Sequence, residues 1–389
     1  MNYPIHTFLS SCCGCKACAN VCKTGAIQFA PDAEGFSYPH IDENLCVNCG
    51  LCEKICPENS DVKELELLRT FAAINKDVSE LMKSSSGGLF SVFSKAIIED
   101  GGVVYGVAYD ENLRAKFIRI DSIEDLEPLR GSKYVQADPH DIYSIALKDV
   151  KQGRKVLFSG TPCQVAAFRN LLNSSHDNVL LIDIICHGVA SPKLFGEYVQ
   201  FCEKKKKSKI AHYANRSKAK GWMHVEEQTY QSGEKDCNSL LSQAWRNIYH
   251  TSFALRPSCY SCNFNLYSKN RAADITLADF WGIENHYPEF YNKNGVSYVG
   301  VYTALGEKWM QKIQDRIDEI SVSIVHVLPR QPHYRGESAS VLSEKRAEFW
   351  NLYQTKGISE LLKKYGKYNI KEKTKKAIKS TLLYKVIRG

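Results

Sequence analysis

Apolar residues between about positions 67 and 345 recur alternately at helical and at strand spacing. In "SGGLFSVFSKAIIEDGG", Phe90, Phe93 and Ile97 fall on one helix face, and the following "VVYGVAY" predicts a strand. The segments "KVLFSG", "TPCQVAAFRNLL" and "NVLLIDIIC" predict a strand, a helix and a strand, the order of a βαβ crossover. Two further strands are predicted in "DITLADFWG" and "SYVGVYT", and an amphipathic helix in "GEKWMQKIQDRIDEI". The pattern therefore predicts an α/β domain over this segment.

The amino-terminal segment is dominated by cysteines. Two runs with the spacing C-x2-C-x2-C-x3-C lie 34 positions apart: the first is Cys12, Cys15, Cys18 and Cys22, and the second is Cys46, Cys49, Cys52 and Cys56. Proline follows the second run, whereas Lys23 follows the first. Between the runs, "AIQFAPDAEGFSYPHID" predicts a β-hairpin.

The spacing of these runs lets one tight loop present three thiolates to one [4Fe–4S] cluster, while the fourth cysteine binds the other cluster. It predicts two clusters, one held by Cys12, Cys15, Cys18 and Cys56 and the other by Cys46, Cys49, Cys52 and Cys22. A pair of zinc sites is the alternative, but zinc motifs usually come as separated C-x2-C pairs.

Four further cysteines lie in the α/β segment. Cys163 falls in the first turn of a predicted helix, with Thr161 as its cap and Pro162 at its first position. Cys186 follows a predicted strand, and Cys259 and Cys262 form "CYSC". Because α/β folds place ligand sites at strand ends, these four cysteines could form a third four-thiolate site. A zinc site, or plain burial of Cys163 and Cys186, is the alternative. No role is assigned to Cys13, Cys202 and Cys237.

The stretch "MKSSSGGLF" is a candidate anion site. Its serines and glycines open a predicted helix, where free backbone N–H groups and hydroxyls can cradle a phosphate or the edge of a flavin, and Lys83 can add charge. A capped helix start is the alternative.

Lys133 in "RGSKYVQ" is a weaker candidate for contact with an anionic cofactor, and His187 is either a proton donor or a structural histidine. No G-x-G-x-x-G or G-x4-G-K-[ST] motif is present, which argues against a Rossmann-type NAD site or a P-loop.

Composition and charge indicate the cellular compartment of the protein and its possible contacts. Fifteen cysteines and no visible secretory signal favour a reducing compartment, so a cytoplasmic protein is expected. Residues 361–389 carry ten Lys or Arg and one Glu, which accounts for the net charge of +8. Apolar residues interleave with these lysines, as in a basic amphipathic helix on an anionic membrane surface at the inner face; a solvated helix is the alternative. The interleaved apolar residues are Leu361, Leu362, Tyr365, Ile370, Ala377, Ile378, Leu382, Leu383 and Ile387. A nucleic-acid partner is not favoured.

Six motifs in one order resemble the family of coenzyme F420-reducing hydrogenase and dehydrogenase beta subunits. They are "KSSSGG", "GSKYVQ", "FSGTPCQVAAF", "DIICHGVASP", "CYSCNF" and "ADITLADFWG", and they cover about residues 67–330. The resemblance implies an iron–sulfur flavoprotein with a third [4Fe–4S] cluster and with FAD near 83–88, 131–134 and 160–163. The FAD contacts it implies are Lys83, Ser84, Ser85, Ser86, Gly87, Gly88, Ser132, Lys133, Gly160, Thr161 and Pro162. Some relatives are associated with surface-polysaccharide genes.

The resulting expectation is an α+β ferredoxin-like module over 1–66, an α/β flavin-binding domain over 67–345 and a basic helical tail over 346–389. The expected function is an oxidoreductase that passes electrons between clusters and FAD, to or from a hydride acceptor such as coenzyme F420. The alternative is a non-catalytic electron-transfer subunit of a larger redox complex. Expected partners are a small-molecule hydride acceptor or donor and a ferredoxin or other redox protein.

Overall fold

The computed structural model describes residues 11–59, 65–173, 176–237, 239–264, 271–331 and 339–368, with the side chains of the last helix from residue 344 onward. The strands are β1 (Ile27–Pro31), β2 (Ser37–Ile41), β3 (Arg69–Asn75), β4 (Val103–Tyr109), β5 (Ala115–Ile120), β6 (Val156–Gly160), β7 (Val179–Ile184), β8 (Ile210–Ala214), β9 (Glu227–Tyr230), β10 (Lys235–Asp236), β11 (Ile275–Asp279), β12 (Ser297–Val301) and β13 (Ile317–Ser321). The helices are α1 (Ala17–Val21), α2 (Leu51–Ile55), α3 (Val78–Lys83), α4 (Leu89–Glu99), α5 (Ile142–Lys151), α6 (Pro162–Leu172), α7 (Pro192–Lys206), α8 (Ala244–His250), α9 (Ala304–Ile313), α10 (Ile324–Val327) and α11 (Ala339–Lys364).

An eight-stranded mixed sheet forms the centre of the body, in the order β13-β3-β12-β11-β7-β6-β4-β5. Strands β4, β6, β7 and β11 run parallel, which confirms the predicted βαβ crossover from β6 through α6 to β7. Strand β12 is antiparallel to both β11 and β3, so β3 points the same way as the parallel strands. The carboxyl ends of β3, β11, β7, β6 and β4 therefore share one edge, called here the carboxyl edge.

Helices cover both faces of this sheet. Along β6, the buried side chains alternate: Phe158 packs with α5 and α6 on one face, and Leu157 packs with α4 and α9 on the other. This alternation is the consequence of the two-residue period of a strand. The body is thus a three-layer α/β/α domain, as the sequence pattern predicts.

One predicted helix is too long. The segment "GEKWMQKIQDRIDEI" is helical only to Ile313, and Ile317–Ser321 forms β13 instead. Strand β3 would otherwise expose its backbone N–H and C=O groups at the sheet edge, and β13 pairs with it antiparallel, with Ile317 opposite Asn75. Ile313, Ile317 and Ile320 recur at helical spacing, and in β13 Ile317 and Ile320 face opposite sides of the sheet, so periodicity alone misassigns this segment.

The ferredoxin-like module packs against the body. Its predicted hairpin is confirmed, since β1 and β2 pair antiparallel. Helix α1 lies against α5 and α6, and α2 lies against α6. Lys16 forms an ion pair with Asp138 at 2.6 Å, and Asn170 Nδ2 donates to the Ile55 carbonyl at 3.2 Å. The two parts of the chain therefore share an interface.

The carboxyl-terminal helix crosses the expected domain boundary at residue 345. Phe349 and Trp350 of α11 are buried in the same apolar cluster as the helices of the body. Leu361 and Leu362, two positions of the predicted membrane-facing stripe, are fully buried there as well, so they are not available to a membrane. The other apolar positions of that stripe beyond residue 368 lie outside the described residues. Within the described part of the chain, no helix is both long and apolar enough to cross a bilayer.

Candidate iron–sulfur centres and cofactor site

The two cysteine runs fold as matching loops. Each loop ends in a residue with left-handed backbone conformation, Lys16 in the first and Gly50 in the second, and a five-residue helix follows. Helices α1 and α2 stop just before Cys22 and Cys56, so each fourth cysteine leaves its own loop. The duplication seen in the sequence is therefore also a duplication of structure.

A cavity of about 30 Å³ lies between the two loops, called here the module cavity. Its walls include the first three cysteines of one run and the last of the other, which is the crossed set that the spacing predicts: Cys12, Cys15, Cys18 and Cys56. Cys52 also reaches this cavity, and Cys22 packs with Cys52 in a small apolar cluster. Burial raises the pKa of Cys18 and raises that of Cys56 to about 11, so metal binding there must displace protons from thiols.

A second cavity, of about 110 Å³, lies in the α/β body and is called here the body cavity. All four remaining candidate cysteines line it: Cys163, Cys186, Cys259 and Cys262. The fold brings them there from three places. Cys163 sits in the first turn of α6, Cys186 lies two residues beyond β7, and Cys259 and Cys262 lie on the 3-10 turn Pro257–Ser261 and just after it.

Hydrogen-bond donors surround the sulfurs of the body cavity. The Val189 N–H donates to Cys259 Sγ at 3.5 Å, the Phe264 N–H lies 3.4 Å from Cys262 Sγ, and Thr161 Oγ1 lies 3.3 Å from Cys163 Sγ. Hydrogen bonds to sulfur are among the features that set cluster potentials. Burial raises the pKa of both Cys259 and Cys262 to about 12. Among the described residues, no group of three or more His, Cys, Asp or Glu converges closely enough to hold one metal ion.

Cys13, to which the sequence assigns no role, lies between the two cavities and lines both. Its thiol is within hydrogen-bonding reach of Cys15 on one side and of Cys163 on the other. The contact with Cys15 and burial hold the pKa of Cys13 well above the ordinary value, against the lowering effect of Cys163. The only signal in the sequence is that the first run has one cysteine more than the second.

The predicted cofactor loop, Ser84–Gly88, joins α3 to α4 at the carboxyl edge and is called here the serine–glycine loop. Each serine hydroxyl has a partner within the fold. Ser84 donates to the Glu80 carbonyl at 2.8 Å, Ser85 accepts from the Ser132 N–H at 2.9 Å, and Ser86 donates to the Val296 carbonyl at 2.9 Å. The "KSSSGG" and "GSKYVQ" motifs are therefore in direct contact.

Glycine is required in this loop at position 87. A Cβ atom there would lie 2.4 Å from the Ala73 carbonyl oxygen and 2.5 Å from the Ser297 nitrogen, both of which are backbone atoms. The loop thus lies directly on the ends of β3 and β12.

The two candidate lysines are engaged differently from the sequence expectation. Lys133 Nζ donates to the carbonyls of Pro128, Arg130 and Gly131 at 2.8, 2.8 and 3.1 Å, so it braces its own loop. Burial lowers the pKa of Lys133 to about 7. Lys83 is half exposed and forms an ion pair with Glu127 at 3.9 Å.

The third predicted contact stretch lies with the body cavity. Thr161 and Pro162 line that cavity, and Gln164 Oε1 accepts from the Thr161 N–H at 3.0 Å, which fixes the start of α6. Gly160 packs against Phe117 and Gln164 at the end of β6. The structure thus brings Ser132 to the serine–glycine loop, and places Gly160, Thr161 and Pro162 beside the body cysteines.

Sequence reasoning missed two buried cations beneath the serine–glycine loop. Arg216 binds Asp279 through both terminal nitrogens, at 2.8 and 3.1 Å, and donates to the Ser85 carbonyl at 3.2 Å. Lys218 Nζ donates to the Ser86 carbonyl at 2.7 Å, and burial lowers the pKa of Lys218 to about 7. Both residues come from "NRSKAKGW", a polar stretch without a recognisable motif.

Aromatic rings join the two candidate sites. His187 lines the body cavity and lies 2.9 Å from Ser252 Oγ through Nε2. Its ring is 5.5 Å from that of Tyr249, which in turn is 4.6 Å from that of Tyr134, two residues beyond Ser132. A packed path therefore runs from the body cavity to the serine–glycine loop.

Two segments of the chain match known protein families. Residues 153–323 match the family that comprises the carboxyl-terminal part of coenzyme F420 hydrogenase/dehydrogenase beta subunits. Residues 11–60 match the "4Fe-4S dicluster domain".

Individual proteins also show similarity. One subunit of the F(420)H(2) dehydrogenase of Methanosarcina mazei is 24% identical over 330 residues, 79% of this chain and 83% of that protein. The coenzyme F420-dependent sulfite reductase of Methanocaldococcus jannaschii is 26% identical over 165 residues, 41% of this chain but only 25% of that protein. A ferredoxin of Alicyclobacillus acidocaldarius is 39% identical over 57 residues, 14% of this chain and 67% of the ferredoxin. A chain in a structure of the F420-reducing [NiFe] hydrogenase complex from Methanosarcina barkeri aligns with a TM-score of 0.47 and 17% identity, over 74% of this chain and 90% of that one.

Proposed function

Residues 153–323 of this chain belong to the family of coenzyme F420 hydrogenase/dehydrogenase beta subunits and residues 11–60 to the 4Fe–4S dicluster domain, and on that premise we propose that it is an iron–sulfur flavoprotein oxidoreductase. The proposed electron route links two [4Fe–4S] clusters in the module, a third in the body cavity and FAD at the serine–glycine loop. The proposed acceptor or donor is a small hydride carrier, coenzyme F420 or another substrate. A substrate in polysaccharide synthesis is part of the proposal, and substrate assays test it. Membrane contact is proposed only for the basic tail beyond Leu362, because Leu361 and Leu362 are buried against the body, and a lipid-binding assay tests it.

The observation that carries the proposal is the alignment of the candidate sites along one path. The module cavity, Cys13, the body cavity and the ring pair Tyr249 and Tyr134 follow one another and end at the serine–glycine loop. The series continues from the module directly into the body, because the module packs on α5 and α6.

The body cavity suits a cluster in its donor set. The four candidate thiols line it together with Cys13, and four cysteine thiolates are the usual ligand set of a [4Fe–4S] cluster. Cys163, Cys186, Cys259 and Cys262 would hold the cluster, and the Val189 and Phe264 N–H groups would bond to the sulfurs.

The serine–glycine loop suits the anionic part of FAD. It opens α4, an eleven-residue helix whose positive end faces the loop, and the buried cations Arg216 and Lys218 lie directly beneath it. The hydroxyls of Ser85 and Ser132 already bond to each other and can turn toward a phosphate. When bound, clusters supply one-electron transfer and the flavin couples single electrons to hydride transfer.

A second candidate function is an electron-transfer subunit whose hydride chemistry belongs to a partner. It is favoured by the exposed end of the module, where Cys49 is exposed and Leu45 and Val47, which flank Cys46, are 46% and 68% exposed. Apolar side chains at such a rim suit docking of another redox protein.

The decisive experiment is anaerobic purification followed by assays of iron, sulfide, zinc and flavin. About twelve irons, four for each cluster, with one FAD per chain are expected. About eight irons without flavin would contradict the flavoprotein and leave only the dicluster module. Reduction of coenzyme F420 by the isolated chain with reduced ferredoxin then separates the enzyme from the electron-transfer subunit.

A further inference from the structure

Arg256 is a fully buried cation without a carboxylate partner. Its exposed fraction is 0%. Among the residues that the structure describes, no Asp or Glu forms an ion pair with it. By contrast the buried Arg216 and Arg271 form ion pairs with Asp279 and Asp183. Burying a charge is costly unless an opposite charge or several strong acceptors compensate it. Among the described residues the oxygens that accept from Arg256 are neutral, so its positive charge stays available to an anion bound nearby.

The contacts of the guanidinium point to the module. Its Nε donates to the Cys12 carbonyl at 2.6 Å, and its Nη2 donates to the Ser37 carbonyl at 3.0 Å and lies 3.7 Å from Cys12 Sγ. Its Nη1 donates to Gln136 Oε1 at 3.1 Å. The ring of Tyr38 lies under the guanidinium at 4.2 Å. Cys12 is one of the four predicted ligands of a module cluster, so the guanidinium lies within hydrogen-bonding range of a ligand sulfur.

The surrounding chain holds the guanidinium in place. Gly14 leaves the space for it, since a Cβ atom there would lie 2.8 Å from Arg256 Nη1. Gln136 Nε2 donates to the Cys13 carbonyl at 3.0 Å, so the same side chain braces the cysteine loop and the arginine. The Arg256 backbone begins the turn that carries Cys259, whose N–H donates to the Arg256 carbonyl at 2.9 Å. Arg256 is thus fixed between the module cavity and the body cavity.

We propose that Arg256 is a positioning residue whose guanidinium is the counter-charge of the cluster bound by Cys12, Cys15, Cys18 and Cys56, and that it makes this cluster easier to reduce than its neighbour in the module. Reduction adds one electron and no proton, so it adds negative charge beside a fixed cation and is favoured by it. The outer cluster, bound by Cys22, Cys46, Cys49 and Cys52, has no such partner among the described residues. Electrons that enter at the outer cluster are therefore drawn inward, toward the body. The inference rests on the clusters of the proposed function.

The test is a potentiometric titration of the anaerobic, cluster-loaded full-length chain with dithionite, followed by EPR. Arg256→Gln is expected to lower one cluster midpoint by at least tenfold in the equilibrium constant, about 59 mV for one electron. The midpoint of the outer cluster is expected to stay in place, with iron content unchanged. Arg256→Lys keeps a positive charge and is expected to restore most of the loss. Arg346→Gln is the matched control, because the charge of Arg346 is already paired with Glu34.

Loaded Arg256→Gln protein with unmoved midpoints would overturn the inference. If this variant does not load iron, the Gln136→Glu variant provides the second test. It is nearly isosteric with the wild type and places a negative charge 3.1 Å from Arg256 Nη1. It must then lower the midpoint further than Gln136→Met, which removes both hydrogen bonds of Gln136 without adding charge; equal midpoints would overturn the inference. Wild-type protein without cluster signals would instead refute the proposed function itself.

Discussion

Replacement of Cys186 tests whether the body cavity holds a cluster. Cys186→Ala removes one of the four predicted ligand thiols that line a cavity of about 110 Å³ and leaves the eight predicted ligand cysteines of the module untouched. We expect the iron content to fall by one cubane, from about twelve to about eight irons per chain, with a matching loss of sulfide. If the cavity held zinc, the variant would lose zinc and keep all its iron.

The structure also shows how this variant could mislead. Cys13 lines the same cavity and contacts Cys163, so its thiol is in place to replace the missing ligand. The double variant Cys13→Ala/Cys186→Ala closes that route and is expected to hold about eight irons in any case, four in each remaining cluster. Cys202→Ala is the control, because Cys202 is buried in α7 with Gln228 as its contact and lies away from both cavities.

Iron and sulfide assays of anaerobically purified protein, together with Mössbauer spectra, measure these contents directly. Retention of about twelve irons by the double variant would refute the assignment, since a cavity with three remaining thiols would then not be the third cluster site. Loss of iron from Cys202→Ala would show that the assay reports general instability.

Three further outcomes are expected. Cys13→Ala alone should keep the full iron content, because the crossed ligand sets do not include it, and an iron assay measures this. Gly87→Ala should lower flavin content and leave iron unchanged, because its Cβ atom would push the serine–glycine loop off β3 and β12; Gly196→Ala, with open space around it, is the control. Burial raises the pKa of Asp183 to about 6, so the folded protein holds a proton that the unfolded chain releases near pH 4. The free energy of unfolding should therefore fall as the pH rises from about 4 to about 6, and Asp183→Asn should abolish this fall in chemical denaturation curves.

A specific result would contradict each of these three predictions. Loss of about four irons from Cys13→Ala would make Cys13 a ligand. A normal flavin content in Gly87→Ala would show that the flavin does not bind at the serine–glycine loop. An equal pH dependence in wild type and Asp183→Asn would show that another group titrates in this range.

Much of the architecture is predictable from near neighbours in the chain. The hairpin, the α6 start at Thr161 and the βαβ crossover depend on local spacing and capping, and all three are found. The end of α9 is not predictable in this way, because Ile317 belongs to a strand only where the edge of β3 is open to pair with it. The burial of Leu361 and Leu362 likewise depends on the helices of the body that they meet.

The sequence by itself determined the eight-cysteine module, and it predicts the partition of its ligands, because a tight loop converts spacing along the chain directly into positions around a cluster. It also pointed to the four body cysteines and the serine–glycine loop. Only the tertiary structure decided that Cys163, Cys186, Cys259 and Cys262 share one cavity, that Cys13 lies between the two cavities, and that Arg256 reaches Cys12 across 244 positions of sequence. Such contacts arise when parallel strands gather their carboxyl ends at one edge and the module packs against that body, and no local pattern in the chain encodes them.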